Sequence, residues 1–210
     1  MTIDDLERLA GLPGAVTARS RLLGERRVSF VEFDDATGAP LGQSMSLSFE
    51  AGVRAALDDR CPLVVVFSTV GPDVQDGVAS LDGWGRVARA LTRCSGVVPT
   101  FAIIDGPAVS GPALLLGLFD FVLATTDSYA FVNSPDAVRS FTGIDIERAE
   151  LGSPAVLERH AGLVCAVVAD RAAGLEAVRE LIEYVPDHVD DDPPRWPIDD
   201  PRDRLCPEVG

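Results

Sequence analysis

The sequence contains no lysine: its 18 basic residues are all arginine, set against 33 Asp and Glu, for a formal net charge of −15. That balance argues against a nucleic-acid or anionic-membrane binder, both of which need a cationic surface. An anionic ligand would need a local arginine patch, for which Arg19, Arg21, Arg26, Arg27, Arg86, Arg89 and Arg93 are the candidates. No apolar run is long enough to cross a bilayer. Residues 1–14 lack the charged start and apolar stretch of a signal peptide, so a cytoplasmic location is expected. Histidine occurs only twice, at His160 and His188. The four cysteines, Cys61, Cys94, Cys165 and Cys206, form no Cys-x-x-Cys pair and have no His pair nearby, so no metal is expected. Three of them lie in or beside apolar segments and read as reduced packing residues. No Ser–His–Asp order accompanies a nucleophile elbow, which leaves triad hydrolase chemistry unsupported.

What is present suits one soluble domain with one core: 210 residues, 47 % hydrophobic and 24 % charged. Residues 1–27 read as an N-terminal arm, its first ~25 residues short on signal and helical if structured. Residues 28–33 alternate apolar and polar and predict a strand. A helix is expected over 48–58, with Phe49, Val53, Ala56 and Leu57 on one face. Residues 63–67 and 100–104 are apolar runs that predict buried parallel strands. Helices are expected at 78–92 and 112–117, short strands at 121–124 and 129–132, and helical segments at 135–140, 146–151 and 154–161. A strand at 164–168 and a helix at 172–185 complete the domain, 28–185. Residues 186–210, rich in Pro and Asp, read as an extended acidic tail. The alternation of strands and helices predicts a layered α/β fold, with ligands where strand ends meet helix starts.

Two glycine-containing segments follow the buried strands. The first is Ser68-Thr69-Val70-Gly71-Pro72-Asp73-Val74. The second is Gly106-Pro107-Ala108-Val109-Ser110-Gly111-Pro112-Ala113-Leu114. Gly111 permits close backbone approach, and Pro112 fits the opening of a helix, where an N–H is not missed. Backbone N–H groups so placed stabilise developing negative charge on an oxygen, as when an enolate forms beside a carbonyl. Both segments also suit plain strand-to-helix turns, which Gly and Pro punctuate in any α/β fold.

The stretch from Gly106 to Ala113, with Asp120-Phe121 after it, resembles the oxyanion loop of the crotonase superfamily. Val70-Gly71-Pro72-Asp73-Val74 resembles that superfamily's other loop. A nearer resemblance is to the N-terminal domain of the carboxyltransferase β subunits of acetyl-CoA and propionyl-CoA carboxylases. It rests on Gln75-Asp76-Gly77-Val78-Ala79-Ser80-Leu81, Ser95-Gly96-Val97-Val98-Pro99, Ser134-Pro135-Asp136-Ala137-Val138 and Ala149-Glu150-Leu151-Gly152. Asp192-Pro193-Pro194-Arg195 and Asp200-Pro201-Arg202-Asp203-Arg204-Leu205 extend the ordered series. The resemblance implies a single crotonase-type α/β domain, a β-β-α superhelix that binds acyl-CoA or an acyl-carrier-protein thioester. Its enolate would be stabilised by the amides of Val70 and Gly111, with Gly71, Ser110 and Pro112 lining the substrate. No cofactor is then bound directly; biotin would come through a partner supplying the second, carboxybiotin-holding domain that family members carry. A homo-oligomer, trimer or hexamer, is implied as well.

The sequence departs from the family at informative places. The family's glycine pair is Ser110-Gly111 here, followed by a proline without an N–H. Val70-Gly71-Pro72-Asp73 stands where the family has Gly-Gly-Ala-Arg, so a cation has become an anion. Asp136 occupies the position of a hydratase glutamate and is a candidate general acid or base; it equally suits the N-terminus of a helix after Pro135. Leu114 replaces the second hydratase carboxylate, which argues against hydration chemistry. His160 reads as a helix C-terminal imidazole and His188 as solvated. Three functions remain open: a carboxyltransferase-like or decarboxylase-like subunit, a catalytically reduced scaffold beside such an enzyme, and a stand-alone crotonase-type thioester hydrolase.

Overall fold

The computed structural model describes residues 16–33, 39–197, 199, 201 and 204. Its centre is an eight-stranded sheet made of β1 (Val16–Leu23), β2 (Arg26–Phe33), β3 (Ala39–Leu41), β4 (Leu63–Pro72), β5 (Thr100–Val109), β6 (Phe121–Thr125), β7 (Tyr129–Phe131) and β8 (Ala166–Val168). The main path runs β1-β2-β4-β5-β6-β8, while β3 pairs with β4 and β7 with β5. Among the described residues only β1 and β2 pair antiparallel, as a hairpin; the other pairings are parallel. The helices are α1 (Gln43–Asp59), α2 (Val78–Cys94), α3 (Gly111–Leu114), α4 (Pro135–Thr142), α5 (Arg148–Gly152), α6 (Pro154–Val156) and α7 (Arg171–Ile182). A 3₁₀ turn, Leu115–Leu118, continues α3, and a π turn, Leu157–Ala161, continues α6.

Strand periodicity splits the core in two. Leu63, Val65 and Phe67 point with Ala102 and Ile104 into the larger cluster, against Phe49 and Val53 of α1 and Val87 and Leu91 of α2. Val64, Val66, Phe101 and Ile103 point to the opposite face, against Val178 and Ile182 of α7. Residues on both faces are buried, which is why these strands read as continuous apolar runs. Phe33, Phe49 and Phe67 pack as one aromatic triad, with centroid separations of 4.9 to 5.7 Å.

Several expectations are corrected. Within the segment read as a helical arm, residues 16–23 form a strand; residues 1–15 lie outside the described residues. Val16, Ala18 and Leu23 are buried, and the partner strand supplies the hydrogen bonds that a weak local pattern does not announce. The strand read from 28 is buried on both faces through Val28, Ser29, Phe30 and Val31 rather than alternating. β4 and β5 run five residues beyond their apolar stretches. Thr69 pairs with Ala108 after a register shift, and Pro107 sits opposite Tyr129. Gly and Pro there mark irregular extended strand instead of its end.

The start of the acidic tail is docked on the domain. Arg26 Nε donates to Asp187 at 2.8 Å, Val189 N–H donates to the Val97 carbonyl at 2.8 Å, and Arg60 pairs with Asp190. His188, expected to be solvated, is only 16 % exposed in its side chain, with Arg60 and Asp191 against its ring nitrogens.

Candidate functional site

β4, β5 and β7 are parallel neighbours, so the segments leaving them gather at one edge of the sheet. Ligands of open α/β sheets bind at such an edge. Gly71, near the end of β4, has φ +118°, a conformation that side chains rarely adopt. A Cβ placed on it would lie 3.4 Å from both the Val109 carbonyl oxygen and Ser110 Cβ. The two segments that sequence reasoning singled out therefore run side by side, close enough that a side-chain carbon on Gly71 would touch the second one. Val70 stands beside Gly71 with 44 % of its surface exposed.

The second bend is held in an unusual shape. Ser110 has φ +64° and ψ −141°, territory that glycine normally occupies. Its N–H donates to the Phe131 carbonyl at 2.9 Å, and its own carbonyl accepts the Ala113 N–H at 3.0 Å, opening α3. With the Ser110 amide engaged and Pro112 lacking one, Gly111 carries the remaining amide of this turn. Gly111 is also a point of close approach. A Cβ there would lie 2.9 Å from Trp84 Cε2 and 3.1 Å from Nε1. Pro112 is buried under the turn, and Ser110 is half-buried.

Asp136 occupies a different place. It is exposed in the first turn of α4, whose N-cap Ser134 accepts the Ala137 N–H at 3.2 Å. Its carboxylate borders a groove of about 530 Å³ between α4 and α5, with Arg139, Glu147 and Arg148. None of Val70, Gly71, Ser110, Gly111 and Pro112 lines that groove. Leu114 is 53 % exposed on α3. Asp120 is turned to the opposite edge of the sheet, where its Oδ2 accepts both the N–H and the hydroxyl of Thr100 at 2.8 Å.

Sequence reasoning missed Trp84 and assigned no contacts to Thr69, Asp73 or Asp76. Trp84 lies on the inward stripe of α2 with Ser80, Val87 and Leu91, and that helical spacing was the available signal. Thr69 Oγ1 donates to the Ala39 carbonyl at 2.8 Å and ties the first bend to β3, a contact without a local pattern. Asp73, the acid in place of the family's arginine, accepts the Gln75 N–H at 2.9 Å in an Asx turn. Asp76 accepts the Gln43 N–H at 2.8 Å, capping α1 where Gly42 has no side chain to do so. Two thiols are chemically quieted by burial: that of Cys61 is pushed up to about 11 and that of Cys94 to about 12.

Residues 7–209 match the carboxyl transferase domain model. The chain belongs to the carboxyl transferase domain family. It is 30 % identical over 200 residues to the propionyl-CoA carboxylase carboxyltransferase subunit of Haloferax mediterranei, covering 93 % of this chain and 38 % of that protein. Against the methylmalonyl-CoA carboxyltransferase 12S subunit of Propionibacterium freudenreichii subsp. shermanii it is 29 % identical over 173 residues, 82 % of this chain and 33 % of the relative. The transcarboxylase 12S crystal structure with methylmalonyl-coenzyme A and methylmalonic acid bound, described as a hexamer assembly, superposes with a TM-score of 0.84 at 26 % identity. It covers 89 % of this chain and 37 % of that one. The crotonase-type α/β fold implied by the motifs is thus the fold observed. This carboxyl transferase domain spans 33 to 38 % of the length of these relatives.

Proposed function

We propose that this carboxyl transferase domain binds an acyl-CoA, or an acyl-carrier-protein thioester, with its carbonyl oxygen at the junction of the two bends. The Val70 and Gly111 amides donate to that oxygen as negative charge develops in the enolate. The observation that carries this reading is the close approach of Gly71 to Val109 and Ser110, which makes one edge feature of two segments far apart in sequence. Preorganised main-chain donors are effective there because they need not reorient as charge appears. Gly71 and Ser110 shape the floor between them, and the buried Pro112 fixes where α3 begins. Trp84 sets the depth on the Gly111 side.

In this reading the chain supplies the acyl-thioester half of a carboxyltransferase. The carboxyl group would be delivered on biotin carried by a partner subunit; the homologues include biotin-dependent carboxylase subunits. The assembly would be a cytoplasmic homo-oligomer of trimeric or hexameric type. Asp136, in its separate groove, serves the α4 N-terminus rather than proton transfer. A scaffold role is the second reading, and the Asp73 in place of the family's arginine favours it.

Calorimetric titration with acetyl-CoA, malonyl-CoA and methylmalonyl-CoA separates these readings. Saturable binding of at least one thioester, weakened by Gly111→Val, is expected. An absence of binding by all three would sink the thioester proposal and leave the scaffold; binding with CO2 release in the absence of biotin would make the chain a decarboxylase.

A further inference from the structure

Arg86, Arg89 and Arg93, three of the candidate anion-holding arginines, do converge. They project from α2 into a groove of about 620 Å³ between α1 and α2, and Arg54 of α1 joins them. The other candidates are differently placed: Arg19 pairs with Glu32, Arg26 with Asp187, and Arg21 lies over the Phe30 ring. Four guanidinium groups in one groove oppose the charge of a chain at −15. Three carboxylates, of Glu50, Asp58 and Asp82, also line it.

Glu50 is already committed. Its side chain is 6 % exposed, with Oε1 on Arg54 and Oε2 on Arg86, the latter at 2.8 Å. A buried carboxylate so engaged fixes the position of two guanidinium forks, the arrangement that matches phosphate oxygens. Arg89 and Arg93, both exposed, have no ion pair among the described residues. They stand four residues apart on one helix face, and like charges at that spacing repel. A multivalent anion between them would relieve that repulsion.

We propose that the α1–α2 groove is a site for a phosphate-ester anion, held by Arg89 and Arg93 beside the prepositioned Arg54 and Arg86. Its volume suits a nucleotide. The nucleotide end of coenzyme A is one source, an assignment that rests on the thioester reading above; a free nucleotide is the other. Trp84, which touches Gly111, is nine residues before Arg93, about two and a half turns, so the arginines leave the face of α2 opposite the one that meets the bend.

Titrations of the full chain with adenosine 3′,5′-bisphosphate, ADP and acetyl-CoA at low salt test the site. Wild type is expected to bind the bisphosphate, and R89E/R93E to lose about tenfold or more in affinity. The control R27E/R159E, which alters net charge equally at exposed positions outside the groove, is expected to retain it. Equal losses in both variants, or no binding by wild type at about millimolar ligand, would overturn the proposal. A parallel loss of acetyl-CoA affinity in R89E/R93E supports the site with coenzyme A as its source; unchanged acetyl-CoA binding beside weakened bisphosphate supports it with a separate nucleotide. Because the bisphosphate carries no thioester, a failed thioester reading leaves this measurement intact.

Discussion

At Ser110 an L-residue holds a backbone conformation that glycine adopts without cost. Such strain costs about 1–3 kcal/mol, while a glycine loses about 0.5–1 kcal/mol more chain entropy on folding. Ser110→Gly is therefore expected to stabilise the protein by about 1 kcal/mol, read as a higher urea midpoint. An unchanged or lower midpoint would mean that the serine is accommodated without strain. The hydrogen bond of its N–H to Phe131 uses the backbone and survives the substitution, so the bend keeps its course. At Gly111 the constraint is spatial: any Cβ meets the Trp84 indole, and that contact was invisible in a sequence where the two residues are 27 positions apart.

Among the elements, α1 depends on a cap borrowed from another segment. Gly42 offers no side chain, and the Asp76 carboxylate accepts the first helical N–H instead. Asp76→Ala is expected to cost about 1 kcal/mol, the usual loss for an N-cap. Asp76→Asn, which retains an acceptor, is expected to recover most of it in the same denaturation series. At its other end α1 closes on Arg60 at φ +54°, whose N–H bonds the Leu57 carbonyl at 3.3 Å. The existence of α1, α2, β4 and β5 was legible from apolar periodicity, whereas their ends were not. β4 and β5 continue because β3 and β7 pair with them, and the start of α1 is fixed by a cap from the distant Asp76.

For the whole molecule, the buried thiols set a limit at high pH. Burial raises Cys61 to about 11 and Cys94 to about 12 from an ordinary 9.0. The folded state thus binds these protons more tightly than the unfolded chain does. Their contribution is fully present below pH 9 and is lost as pH rises through the folded values. The urea midpoint is expected to fall between pH 9 and 11 in wild type, and less steeply in Cys94→Ala measured against its own neutral-pH value. A fall of identical steepness in the variant would assign the loss to other groups. Over the same range Cys165, exposed among the described residues, should alkylate in the native state while Cys61 and Cys94 stay protected; peptide mapping reads this directly.

The sequence alone determined the layered α/β class, because runs of buried β residues alternating with amphipathic helices admit few other packings. It also determined the family, through an ordered series of short motifs, and the two glycine-containing segments. Only the tertiary structure decided that Gly71 abuts Ser110, that Trp84 closes on Gly111, and that Asp136 belongs to another groove. The same holds for the arginines, four of which share a groove while Arg19 and Arg26 serve as structural ties. The physical reason is common to all of these. Periodicity reports which face of an element is buried, whereas contacts between residues distant in the chain follow from strand pairing and from the close approach of backbones, which no local pattern encodes.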